Sequence, residues 1–241
     1  MLNNWQTQAI ILKAKKLSEY DALISVFTPS NGRINGVVKA ALSKKNRGIF
    51  QIANLVNLDI KTRHENQLPQ ITGELITPYA AQLMSSSLNL ASLQSLCDLL
   101  ETSLMEHEPQ PKLYKITCQL LEEMLNSPKE QWLGMYAFFE IILLEESGFG
   151  LDLSCCAVSE TREELIYVSP KSGRAVSRLA GEAWKARLLP LPSNLLRRQT
   201  PRAEQLLDSL NLSGYFLENW LYAAKNRKTP ISRQQLLAKI I

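Results

Sequence analysis

The stretch Leu23-Ile24-Ser25-Val26-Phe27-Thr28-Pro29-Ser30-Asn31-Gly32-Arg33-Ile34-Asn35-Gly36-Val37-Val38-Lys39 decides how the first third of the chain folds. Two runs rich in β-branched and apolar residues flank a four-residue turn. Asn31 and Gly32 both tolerate positive φ, which makes the segment a hairpin. Upstream, Gln8-Ala9-Ile10-Ile11-Leu12 predicts a preceding strand. Downstream, Ala40-Ala41-Leu42-Ser43-Lys44-Lys45-Asn46-Arg47-Gly48 predicts a flexible cationic loop. From Asn54 to Arg63, Val56, Leu58 and Ile60 alternate with Leu55, Asn57, Asp59 and Lys61, the period-2 pattern of a strand with one face buried. A turn at His64-Glu65-Asn66-Gln67-Leu68-Pro69 leads to a fifth strand, Gln70 to Ile76. Five short strands separated by turns predict a small barrel of the OB type.

Pro78 marks a change of period. Leu83, Leu88, Leu90, Leu93, Leu96, Leu99, Leu100 and Leu104 recur at three- and four-residue spacing, which predicts helix. Pro109 and Pro111 interrupt it, and a second helix is expected from Lys112 to about Asn126. Ser127-Pro128-Lys129-Glu130 reads as a capping box with proline at the first helical position. The helix it opens is apolar nearly all round, from Trp132 to Leu144, and belongs at the centre of a bundle. Gly148 and Gly150 end it. Glu164 to Val168, a turn at Ser169–Gly173, and Arg174 to Val176 predict a second hairpin. Helices are then expected near 179–189, from Thr200-Pro201 to about Ala224, and from Ser232. The fold class is therefore α+β: an OB-type barrel over 1–78 and a mainly helical domain over 79–241, with an inserted hairpin at 151–180.

The composition of the 241 residues, 45% hydrophobic and 21% charged, is that of an ordinary globular chain. Four cysteines, two of them adjacent, make no disulfide framework, and the N-terminus lacks the cationic start and apolar run of a signal peptide. A cytoplasmic location follows as the expectation. The longest strongly apolar stretch, Tyr136 to Leu144, is shorter than the roughly 20 residues needed to span a bilayer. The net charge of +4 is unevenly placed. Residues 1–80 hold 10 Lys+Arg against 5 Asp+Glu, residues 81–150 hold 3 against 10, and residues 151–241 hold 14 against 8. A polyanion is expected to touch the basic ends and avoid the acidic middle.

Enzyme chemistry finds little to work with. Cys155-Cys156 lacks a second C-x2-C pair, and Cys97 and Cys118 sit at apolar helical positions, so a tetrahedral zinc set is not assembled. His64 and His107 lie in polar surroundings with no nucleophile nearby in sequence. Glu122-Glu123, Glu145-Glu146 and Glu163-Glu164 are neighbours that diverge on a helix and do not clamp a metal together. No Walker A motif, nucleophile elbow or dinucleotide fingerprint is present. No cofactor is expected. Eight cations do cluster early: Lys13, Lys15, Lys16, Arg33, Lys39, Lys44, Lys45 and Arg47. They suit a phosphate backbone. Aromatics for base stacking are sparse there, namely Tyr20, Phe27 and Phe50, which favours backbone contact over base readout. The competing reading is a solvated loop on a barrel that binds nothing strongly, in a protein-interaction scaffold dominated by its helical domain.

Ala9-Ile10-Ile11-Leu12, Ser18-Glu19-Tyr20-Asp21, Ser25-Val26-Phe27-Thr28, Gly32-Arg33-Ile34, Val37-Val38-Lys39-Ala40 and Lys44-Lys45-Asn46-Arg47-Gly48 together resemble the start of the bacterial RecO family. Phe139-Glu140, Leu143-Leu144-Glu145 and Gly148-Phe149-Gly150 resemble its central helix. Cys156-Ala157-Val158 sits where its zinc ribbon begins. Ser169 to Val176 resembles its hairpin, and Ser232-Arg233 with Leu236-Leu237 its C-terminal signature. The resemblance implies a non-enzymatic DNA repair and recombination mediator. Such a protein binds single- and double-stranded DNA, anneals complementary strands and, with RecR, helps RecA displace the single-stranded-DNA-binding protein SSB. A nucleoid association is implied with it. The family's four-cysteine zinc site is degenerate in this sequence, so the hairpin is expected to be held by packing of Leu165, Tyr167 and Val176. The family's site for the SSB C-terminal tail combines an apolar groove with basic residues. Lys112, Leu113, Lys115 and Ile116 are the candidates for it.

Overall fold

The computed structural model describes residues 3–62, 67–197 and 199–240; the expected turn at His64 lies outside the described residues. The first five strands are β1 (Asn3–Lys16), β2 (Ala22–Thr28), β3 (Gly32–Val38), β4 (Leu55–Thr62) and β5 (Gln70–Thr77). They close into a barrel of order β1-β2-β3-β5-β4, antiparallel except for the β3–β5 junction at Val37 and Gln70. This is the OB-type α+β architecture expected from the alternation. Ala9, Ile11, Ile24, Val26, Ile34, Val56, Leu58, Ile60 and Ile71 fill the interior. β1 is far longer than Gln8–Leu12. Its first half pairs with β4 and its second half with β2, and a register shift between Ile11 and Lys13 lets one strand serve both neighbours. Only Gly32 of the Asn31-Gly32 pair takes positive φ, at 65°. A Cβ there would lie 2.0 Å from the Glu108 carbonyl oxygen, so the turn admits glycine alone.

The helices are α1 (Tyr79–Leu83), α2 (Ser87–Ser103), α3 (Pro111–Asn126), α4 (Lys129–Leu144), α5 (Arg178–Gly181), α6 (Ser193–Arg197), α7 (Ala203–Phe216) and α8 (Ile231–Ile240). The chain forms two compact units: residues 1–121 with 230–241, and residues 122–229. Within the first unit α2 packs against both the barrel and the returning α8. The Ser86 hydroxyl caps α2 by accepting from the Asn89 amide at 3.3 Å. Tyr114 of α3 meets Phe27 edge-on, with ring centroids 5.3 Å apart, and buries the outer face of β2.

In the second unit α4 packs on α7, with Ser213 Oγ donating to the buried Glu140 at 2.5 Å. The expected capping box at Ser127 does not form. Pro128 is the N-cap, and the Ser127 hydroxyl turns back to donate to Glu123. A left-handed Gly148 closes the π turn after α4. The hairpin is β6 (Leu165–Val168) and β7 (Ala175–Ser177), extended by a short β8 (Leu189–Pro190) that the sequence did not signal. The helix expected near 179–189 is α5 followed by a 3-10 turn, Glu182–Arg187. The run expected to Ala224 is α7 continued by a π turn to Tyr222.

Candidate nucleic-acid interface

One end of the barrel is built from the β1–β2 turn, residues 17–21, and the loop after β3, residues 39–49. The two are sewn together. Asp21 Oδ1 accepts from the Ala40 amide at 2.8 Å, and the Leu42 amide donates to the Tyr20 carbonyl at 2.9 Å. The loop is not the free segment expected. The Asn46 side chain donates to the Ala40 carbonyl at 3.1 Å, and the Asn46 and Arg47 amides donate to the Ser43 carbonyl. Asn54 Nδ2 donates to the Gly48 and Ile49 carbonyls, while Ala41 and Phe50 drop into the barrel core. Fixed turns of this kind hold the backbone from which the cations project, so a ligand need not order the loop on binding.

On that frame Lys15, Lys16, Lys39, Lys44, Lys45 and Arg47 are all exposed. Lys13 is exposed too, but its ammonium faces Glu101 of α2 at 3.7 Å. Arg33 is the exception among the eight. Its side chain is 13% exposed and faces the segment after α2. Nε donates to the Leu104 carbonyl at 3.2 Å, Nη2 pairs with Glu106 at 3.2 Å, and Nη1 reaches Asn35 at 3.4 Å. Its charge ties β3 to residues 104–106 and is not presented with the others. Of the three aromatics, Phe27 and Phe50 are buried, whereas Tyr20 is 52% exposed. Leu17 and Leu42 are exposed beside it, at 52% and 36%. Their signal was present, as single leucines inside otherwise polar turns. The neighbouring Glu19 carboxylate raises the pKa of the Tyr20 phenol from its ordinary value.

Folding also redistributes the charge. The barrel unit holds 14 Lys+Arg against 9 Asp+Glu, a net +5, and the second unit 13 against 14, a net −1. The basic C-terminal stretch thus folds together with most of the acidic middle. On α3, Lys112 and Lys115 are exposed and Ile116 is half-buried. Leu113 is fully buried and does not line a groove, because it lies on the helix face turned to the core.

Among the described residues no group of three or more His, Cys, Asp or Glu is placed to hold an ion. Cys156 Sγ instead accepts from the Ser177 and Val158 amides at 3.3 and 3.5 Å. Burial raises the thiol's pKa, but donation from Ser159 and Ser177, side chain and backbone, outweighs it and brings the value to about 6. These residues do not fit a four-cysteine zinc site. Leu165 and Val176 are buried as expected, and Tyr167 lies against Gly181. Arg174 and Asp152 add a 3.3 Å ion pair. Cys97 is buried beneath the barrel, and burial pushes its pKa up to about 12. His107 is exposed. Among the described residues, no helix is long and apolar enough to cross a membrane.

Comparison with known proteins agrees with this architecture. Residues 1–79 match the family described as recombination protein O, N terminal, and residues 84–229 match recombination protein O, C terminal. The chain is 39% identical over 241 residues to the DNA repair protein RecO of Rhodospirillum rubrum, covering 98% of this chain and 96% of that one. It is 39% identical over 238 residues to that of Granulibacter bethesdensis, covering 98% and 95%. It is 35% identical over 240 residues to that of Gluconacetobacter diazotrophicus, covering 98% and 94%. A basic OB-type barrel followed by a helical domain, matched along almost its whole length, places the chain in the RecO family of DNA repair proteins.

Proposed function

We propose that this protein is a recombination mediator without covalent chemistry of its own. It binds single- and double-stranded DNA, anneals complementary strands and assists RecA loading onto SSB-coated DNA together with RecR. The observation that supports this most is the fixed barrel end carrying Lys15, Lys16, Lys39, Lys44, Lys45 and Arg47. Cations on one rigid surface screen the repulsion between two phosphate backbones, and that repulsion is what slows annealing. Lys13 extends the surface along β1. Lys112, Lys115 and Ile116 on α3 are the proposed contacts for the acidic, apolar SSB tail. The protein acts in the cytoplasm at the nucleoid.

Annealing of SSB-coated complementary strands, with intact and tail-less SSB, tests the proposal. Acceleration that depends on the tail supports it. No acceleration on bare or coated strands refutes it. A second reading, a scaffold that binds partners and only weakly DNA, draws on a cleft of the second unit lined by Met135, Phe138, Leu195, Glu123 and Gln131. Micromolar or weaker binding to single-stranded DNA at low salt would favour it.

A further inference from the structure

The barrel end presents more than charge. Leu17, Tyr20 and Leu42 are exposed on its turn and loop, and backbone bonds bring the segments that carry them together. The Leu42 amide is bonded to the Tyr20 carbonyl, and the Leu17 amide donates to the Asp21 carbonyl at 2.9 Å, closing the turn that carries both Leu17 and Tyr20. An aromatic ring held in a strip of exposed apolar side chains costs free energy in water, and phosphate contacts alone give it no role. Unpaired nucleobases do, because every base offers a π-face and stacking on an aromatic ring tolerates any sequence. A duplex hides those faces within its own stack.

We infer that Leu17, Tyr20 and Leu42 form a base-binding strip that takes unpaired nucleobases of single-stranded DNA between the flanking cations. The choice of occupant rests on charge. The six exposed cations around the strip suit a polyanion. The turn itself holds two acids, Glu19 and Asp21, and Asp21 is turned to the Ala40 amide, so the cations around the strip outnumber them. The strip therefore adds single-strand selectivity to a surface whose cations do not discriminate. The inference rests on the DNA-binding reading above but fails separately from it.

The test measures affinity by fluorescence anisotropy for three labelled probes: oligo(dT), an abasic deoxyribose-phosphate oligomer of the same length, and a duplex. Y20A should weaken oligo(dT) binding about fivefold or more, the scale of one lost aromatic–base stack. L42A should weaken it in the same direction. Y20F should restore binding, and affinity for the abasic oligomer should stay unchanged throughout. Equal loss by Y20A on all three probes, or no loss on oligo(dT), overturns the strip while leaving backbone binding intact. Failure of the unaltered protein to bind any probe overturns both.

Discussion

Replacing Lys44, Lys45 and Arg47 together with alanine isolates the electrostatic part of the account. The three side chains are exposed, and the loop's hydrogen bonds come from Ser43, Asn46, Asn54 and the backbone. The loop should therefore survive, each exposed substitution changing stability by no more than about 0.5 kcal/mol. Each phosphate neutralised contributes about 0.7 to the slope of log affinity against log salt for a single strand. Three lost contacts then flatten the slope by about 2. Over a roughly fourfold rise in salt the parent should lose about 20-fold more affinity than the variant. Anisotropy titrations with oligo(dT) and with mixed-sequence strands measure the slope directly. The loss should be the same for every sequence, because phosphates carry no sequence information. An unchanged slope, with or without weaker binding, refutes the loop's role.

Arg33 should behave in the opposite way. Arg33→Ala takes the Arg33 donor from the Leu104 carbonyl and leaves Glu106 with Asn35 alone, so it should destabilise the protein by about 1–3 kcal/mol in urea unfolding while leaving the salt slope unchanged. A flattened slope with unchanged stability would show that its charge faces DNA after all. Asp21→Ala removes the acceptor of the Ala40 amide, so protease cleavage within residues 43–48 should speed up and DNA affinity should fall; resistance equal to the parent's would contradict the pinned loop. The Cys156 thiol titrates near 6 in the folded state against an ordinary 9.0, so ionisation stabilises the fold fully above pH 9, and that contribution is lost as pH falls through 6. The stability of the parent relative to C156S should rise between those values, and a pH-independent difference would refute the thiolate.

The barrel was legible because a period of two shows directly in Val56, Leu58 and Ile60, and because a glycine was required at position 32. The first half of β1 was not. Asn3, Asn4 and Gln6 have little strand preference of their own and are extended because β4 pairs with them. Arg33 looked like one more cation, since its partners Leu104 and Glu106 lie more than seventy residues away in sequence. The same limit applies to Leu113, which helical spacing allowed on either face of α3. The short β8, which ends on Pro190, and α6, which follows Pro192, carry too few residues for a period to appear. Within the candidate site, the cations could be read from composition. The pinning of the loop could not, because it depends on Asp21 and Asn54 reaching it across the barrel end.

Backbone amide hydrogen exchange, measured with and without single-stranded DNA, locates the contact without presupposing it. If DNA lies on the barrel end, exchange slows chiefly in residues 15–21 and 39–49, its turn and loop. Protection confined to residues 122–229, with the barrel end unchanged, would contradict it.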